Sequence, residues 1–215
     1  MKSLLIFACL SFPFANIVGQ NSLLEKSEKY IGFSQGMNTS MILFNPSVKQ
    51  HLFFPGYNGG ITYRYITEKH AGLQIELKYS QRGWSESDGN YVRRTNYVEL
   101  PFLTHVYIGN KNRVFFNIGP KISYLLSESV LKNDTVNSIS EQHVKSIRFP
   151  FDYGLCAAFG YYLKTKSVGA YEIEFRGYYG LGDSFANTRS DYFLASNYLN
   201  FSLNIGWYFQ LSGDK

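Results

Sequence analysis

Ten charged residues occupy alternate positions in strand-like stretches of this sequence: Arg64, Lys78, Arg82, Lys121 and Arg176 against Glu76, Glu99, Asp152, Glu172 and Glu174. Cations and carboxylates in equal number on the same set of faces can pair with one another, which is the chemistry of a closed polar interior; unpaired, they could line a pore. The four histidines, His51, His70, His105 and His143, fall on a loop, a turn, a strand and another loop without the spacing of a metal site. His105 beside a serine or glutamate could suggest acyl chemistry. It sits on a polar strand face with no serine two residues away, so no catalytic residue, metal site or cofactor is expected. Cys156, on a polar face among glycines, reads as a small packing residue.

The elements that must carry these side chains are strands. In "GLQIELKYSQRGW" (72–84), Leu73, Ile75, Leu77 and Tyr79 alternate with Gln74, Glu76, Lys78, Ser80 and Arg82, the period of two of a strand with one apolar and one polar face. Seven further segments repeat it: 30–38, 57–66, 96–108, 114–126, 151–163, 171–181 and 199–209. Pro101 and Pro120 interrupt their strands and predict bulges or bends. The connections alternate too. Those after the first, third, fifth and seventh segments are long, roughly residues 39–56, 84–95, 127–150 and 182–198, while "TEKH", "GNKN" and "KTKS" make tight turns.

Composition limits what such strands can be. Of the 215 residues, 17% are charged, below the roughly 25% of a typical soluble protein, and 18 tyrosines and 18 phenylalanines are present. The mean hydropathy of −0.19 and the lack of an apolar run near 18 residues after the leader exclude a transmembrane helix. A closed barrel of alternating strands can still cross a membrane, because each strand hides its apolar half from a hydropathy average. The net charge of +5 is spread thinly, without basic clusters interleaved with aromatics, so no nucleic-acid partner is expected. Residues 1–19, with Lys2 followed by an apolar stretch from Leu4 to about Phe14, read as a signal peptide, and residues 20–29 as a short periplasmic segment. Removal of the leader takes Cys9 with it and leaves Cys156 as the sole cysteine, so no internal disulfide can form.

Which face looks inward follows from what the polar faces contain. A soluble eight-stranded barrel would turn them to water, dense in Lys and Glu; here they are dense in Gly, Ser, Asn and Thr, which suit the narrow interior of a small barrel. Aromatic residues on the apolar faces gather at the strand ends, Tyr65, Tyr161 and Trp207 near the turns and Tyr79, Tyr124 and Tyr179 near the loops, as two interfacial girdles require. Short turns at one end and long loops at the other complete the pattern. The sequence therefore predicts an all-β fold, an eight-stranded antiparallel up-and-down transmembrane β-barrel over residues 30–211, exported to the bacterial outer membrane and in contact with its lipid.

The segments "LQIELKYSQRGW", "YVELPFLTHVYI", "FNIGPKISYLL", "FDYGLCAAFGYYL" and "EIEFRGYYGLGD" together resemble the outer-membrane β-barrel family typified by PorT, common in the Bacteroidota. The resemblance runs from about Tyr30 to Leu211. It implies an eight-stranded outer-membrane barrel and, through PorT, an association with protein secretion by the type IX system; it implies no active site. Two kinds of function stay open: a non-enzymatic barrel that anchors long extracellular loops for protein partners, and a narrow channel.

Overall fold

The computed structural model describes residues 23–86, 91–133, 141–165, 169–185 and 193–212. The leader 1–19 with Cys9 lies outside them, as do parts of the connections after β4, β6, β7 and β8. Among the described residues there are nine strands, β1 (Leu23–Asn45), β2 (Gln50–His51), β3 (Phe53–Glu68), β4 (Ala71–Glu86), β5 (Tyr91–Ile108), β6 (Asn112–Asn133), β7 (Phe151–Lys164), β8 (Ala170–Gly180) and β9 (Ala195–Ser212), with one short helix, α1 (Glu141–Val144). Eight of the strands pair antiparallel with their chain neighbours, and β9 pairs back onto β1, closing a ring; β2 is a two-residue addition to the upper end of β4. Closure gives every ladder hydrogen bond a partner inside the sheet, the condition for strands to lie in hydrocarbon.

Side-chain exposure assigns the faces. Along β4, Leu73 (60% exposed), Ile75 (43%) and Leu77 (49%) point outward, while Gln74, Glu76 and Lys78 are at most 4% exposed. The same holds in the other strands. Ile31, Phe33 and Met37 of β1, Ile61 and Tyr63 of β3, Ile118 and Ile122 of β6 and Ile173 and Phe175 of β8 form an outer apolar belt. Tyr161, Tyr124 and Tyr179 stand exposed at its borders, with Tyr65, Trp207 and Tyr79 partly covered. Trp207 stacks on Tyr171 at 6.1 Å between centroids. Both chain ends of the barrel lie at the tight-turn end, the periplasmic side for an even strand count.

Three expectations need correction. The long connections are shorter than the alternation suggested, because the strands run on: β6 has 22 residues, about twice the roughly 9–11 that a tilted strand needs to cross a bilayer. Residues 39–45, 84–86, 91–95 and 127–133 are strand rather than loop, since outside the hydrocarbon a ladder still satisfies backbone polar groups better than open coil. At the other end, β1 begins at Leu23, within the segment 20–29 that the alternation left outside the barrel. Pro101 and Pro120 cause no register shift. Pro101 stays opposite Lys121 and Pro120 opposite Leu155, and the shifts in the β5–β6 ladder fall between Val92 and Arg93 and between Asn96 and Tyr97. A missing N–H removes one bond, but a one-residue slip would turn the apolar face inward.

The interior is layered. At the periplasmic end Tyr30, Ile66, Tyr107, Phe115, Tyr162 and Tyr208 pack together. Glycines make room for them: a Cβ on Gly32 would lie 2.5 Å from Cδ1 of Tyr208, and one on Gly160 2.5 Å from Cζ of Phe115. At the extracellular end a second apolar layer gathers Ile42, Phe44, Trp84, Tyr91, Phe185 and Phe193. Polar side chains fill the space between.

Candidate functional site

All ten charged residues singled out above point into the bore, each at most 6% exposed. The closure of the ring brings together residues far apart in sequence, and they form two groups. In the lower one, Arg176 of β8 donates to both carboxylate oxygens of Glu76 on β4 (2.6 and 2.8 Å) and pairs with its neighbour Glu174. Glu174 also accepts from Asn117 (3.1 Å) and Asn204 (3.0 Å). Arg64 of β3 pairs with Glu172 (2.6 Å) and donates to Gln74 (2.6 Å), whose amide in turn donates to Glu76. Tyr208 completes the shell of Glu172 from 3.1 Å.

In the upper group, Arg82 of β4 pairs with Glu99 of the adjacent β5 and reaches Asp152 on β7 at 2.6 Å, with a further bond to Ser123 (3.0 Å). Lys121 donates to Glu99 (3.0 Å), and the Tyr178 hydroxyl to Asp152 (2.9 Å). Lys78 lies between the groups, its ammonium 3.9 Å from Glu76. A buried charge is tolerated only when paired and hydrogen-bonded. Here each carboxylate has a cation and at least one neutral or second charged donor.

Tyrosines line the same interior beside the charges, and the sequence pattern alone left most of them unassigned. The Arg64 guanidinium lies 4.5 Å over the Tyr208 ring, Arg82 4.7 Å over Tyr97 and 4.8 Å over Tyr178, and the Lys121 ammonium 3.5 Å over Tyr178. Each such contact contributes about 0.5–2 kcal/mol. Their signal was parity: Tyr162 and Tyr208 follow the outward Tyr161 and Trp207 by one residue and so must point in. A third group of ion pairs was also missed, Glu28 of β1 with Arg113 (2.8 Å) and Lys164 (3.5 Å) at the periplasmic rim, because its members lie beyond the segments whose alternation was read.

His105 points inward, Nδ1 2.7 Å from Asn117 Oδ1, its ring stacked on Tyr107. The Phe115 ring lies on it too, 5.4 Å between centroids. Cys156 is buried with Sγ 3.6 Å from the Gly119 carbonyl. His51 lies in β2, His70 in a turn and His143 in α1. Among the described residues no three His, Cys, Asp or Glu side chains converge as a metal set. After all these side chains are placed, the middle of the bore retains a cavity of about 10 Å³ beside Lys78, Asn58 and Asn200, room for about one water.

Residues 143–148, between β6 and β7, lie over the extracellular mouth. His143 stacks on Tyr91 (3.9 Å, 15°) and bonds Glu86 at 2.8 Å. Arg93 donates to the Lys145 carbonyl (2.7 Å) and to Glu128 (2.6 Å), and Ile147 inserts into the upper apolar layer. The Arg148 amide bonds the Ser184 carbonyl (3.1 Å), tying this cover to the β8–β9 connection. Of the segment 129–149, then, residues 129–133 are strand and 143–148 fold over the mouth.

The fold is similar to solved outer-membrane proteins at low identity. Ail, the attachment invasion locus protein of Yersinia pestis, is 12% identical over 86% of this chain and 98% of its own, with a TM-score of 0.45. OprG from Pseudomonas aeruginosa is 9% identical over 89% and 98%, with a TM-score of 0.47, and Neisserial surface protein A is 11% identical over 84% and 97%, also at 0.47. No curated protein matches. The family model described as outer membrane protein beta-barrel domain matches residues 20–186, and this chain belongs to that family, as a β-barrel protein of the bacterial outer membrane.

Proposed function

We propose that the barrel is a non-enzymatic mount for an extracellular surface that binds another protein, in a role accessory to secretion of the kind that the PorT resemblance implies. The observation that carries this reading is the filled bore. Among the described residues paired charges cross it, apolar layers close it at both ends, and the pocket in its middle holds about 10 Å³, which supports a ligand meeting the protein on its outside. The strands that rise above the membrane supply the surface. From Ser127 to Val130, β6 has β5 as its ladder partner among the described residues, β7 starting only at Phe151 opposite Tyr124. A strand edge of this kind suits binding by strand addition. The setting of His105 against Asn117 and Tyr107 supports the non-enzymatic reading.

The test is removal of residues 133–142 from the chromosomal copy. The barrel is expected to assemble, seen as a shift in gel mobility between unheated and heated samples, while any secretion defect of the gene deletion is reproduced. A trimmed protein that assembles and complements fully overturns the reading. Ion conductance by the purified wild type in planar bilayers would transfer the function to the bore.

A further inference from the structure

Among the described residues, one carboxamide faces lipid within the apolar belt. Gln35 of β1 shares the outward parity of Ile31, Phe33 and Met37 and is exposed, with Gly59 of β3 and Ile205 of β9 directly across its two ladders. The Tyr57 hydroxyl turns down beside it, over Gly59, where a Cβ would lie 2.6 Å from that oxygen. Among the described residues neither group has a hydrogen-bond partner. One bond between them would still leave the carboxamide short, since it carries two N–H donors and an acceptor oxygen. Thr104 is also exposed in the belt, but a threonine hydroxyl turns back to a nearby backbone carbonyl.

The depth of Gln35 follows from its strand. Lys29, the outward residue at the periplasmic end of β1, has its ammonium 5.6 Å over the ring of Tyr65 in the lower girdle. Gln35 is six residues further along, about 20 Å by strand rise. At a tilt of roughly 45° that is about 14 Å of depth, the middle of an apolar band about 25 Å tall. Neither headgroups nor water reach that level, and a polar group in hydrocarbon is unfavourable until it finds a hydrogen-bond partner.

We propose that Gln35 marks the contact between two copies of this barrel in the membrane. Copies inserted with the same topology are related by a two-fold axis along the membrane normal, which brings equal depths together. The group that Gln35 meets at its own depth is then its equivalent on the second copy. A carboxamide is self-complementary, each N–H donating to the other's oxygen, and the Tyr57 hydroxyl stands beside the pair as a further donor. The surrounding surface suits close approach, since Phe33, Met37, Ile61, Leu203 and Ile205 are exposed and uncharged. Apolar faces alone gain little by leaving lipid for one another, so a polar group supplies the preference between membrane segments. Acyl chains offer Gln35 no hydrogen bond and do not compete.

The experiment uses the protein purified from outer membranes and returned to phospholipid vesicles. A spin label is placed at Met37→Cys, one outward position above Gln35, or at Ile118→Cys of β6, on the opposite side of the ring; Cys156 is buried in the bore and does not take the label. Double electron–electron resonance reads distances between barrels, and dilution with lipid reads the dimer's affinity. A short inter-barrel distance is expected from Met37→Cys and none from Ile118→Cys. Adding Gln35→Leu is expected to weaken the dimer roughly tenfold, with heat-modifiable mobility unchanged. Absence of a short distance from the Met37→Cys label overturns the proposal, and this arm keeps Gln35 intact. An affinity unchanged by Gln35→Leu also overturns it. If the vesicles hold only monomers while native membranes yield a complex with a different protein that Gln35→Leu abolishes, the assignment to a second copy is wrong.

Discussion

Glu76 and Arg176 meet in a two-pronged ion pair although their strands, β4 and β8, are separated by three strands in either direction around the ring. The pair therefore spans the full width of the bore and cross-links the barrel through its centre. Removing Arg176 leaves Glu76 a buried carboxylate that has lost its two-pronged partner and keeps only the Gln74 amide as a hydrogen-bond donor. Arg176→Met is expected to cost about 3–5 kcal/mol, whereas the double variant Glu76→Met, Arg176→Met should cost clearly less than the sum of the two single changes. A urea unfolding series in lipid vesicles checks this as a double-mutant cycle. Strict additivity would mean that the two side chains do not sense each other.

Ile75 and Lys78 test the assignment of faces from two sides. A lysine at Ile75 enters the middle of the lipid belt and is expected to cost about 2–4 kcal/mol. Lys78→Met removes an inward ammonium that stands 3.9 Å from Glu76. Glu76 keeps its two bonds from Arg176, so no carboxylate is stranded and the loss should stay below that of the lysine at Ile75. Unfolding midpoints that rank the two changes in the opposite order would reverse the faces.

Arg93 latches the cover of the mouth through the Lys145 carbonyl and Glu128. Arg93→Ala should free residues 143–148 without disturbing the membrane-embedded ladder, because the cover contributes no strand to the ring. Limited trypsin digestion of intact cells reads this directly. Cleavage after Lys145 and Arg148 is expected to speed up several-fold while the unheated barrel band persists; unchanged cleavage would place the latch elsewhere.

His105→Gln separates a packing role from a chemical one. Glutamine preserves a polar group facing Asn117 while abolishing any proton transfer by an imidazole. Full assembly and full complementation of a gene deletion are expected. Loss of function in a variant whose barrel forms normally would reopen an enzymatic reading of the interior.

Much of this molecule was legible in its sequence because the decisive signal is local. The side-chain period of a strand is two, so Leu73, Ile75 and Leu77 define one face and Gln74, Glu76 and Lys78 the other whatever the rest of the chain does. Eight such stretches, with Gly, Ser, Asn and Thr on the polar side and tyrosines at the ends, suffice to choose a membrane barrel over a soluble one. Strand length was less legible. Residues 127–133 lack clean alternation because above the bilayer both faces of β6 meet water or polar neighbours, and nothing apolar then imposes a period.

What only the tertiary structure decided is who meets whom inside. The alternation placed Arg82, Glu99 and Asp152 on inner faces, but that Arg82 bridges Glu99 to Asp152, 70 positions further on, depends on the stagger with which the ring closes. The stagger is a sum over all eight ladders, including the register shifts near Val92 and Asn96, and no single segment encodes it. The same closure sets Tyr208 beneath Arg64 and folds Ile147 over Trp84 and Tyr91. Tyrosine is at home both in a lipid girdle and over a buried cation, so its identity alone could not say which. A strand dictates the direction in which each of its side chains points, since that is fixed by its own backbone, whereas the partner found in that direction belongs to strands that only the closed ring brings within reach.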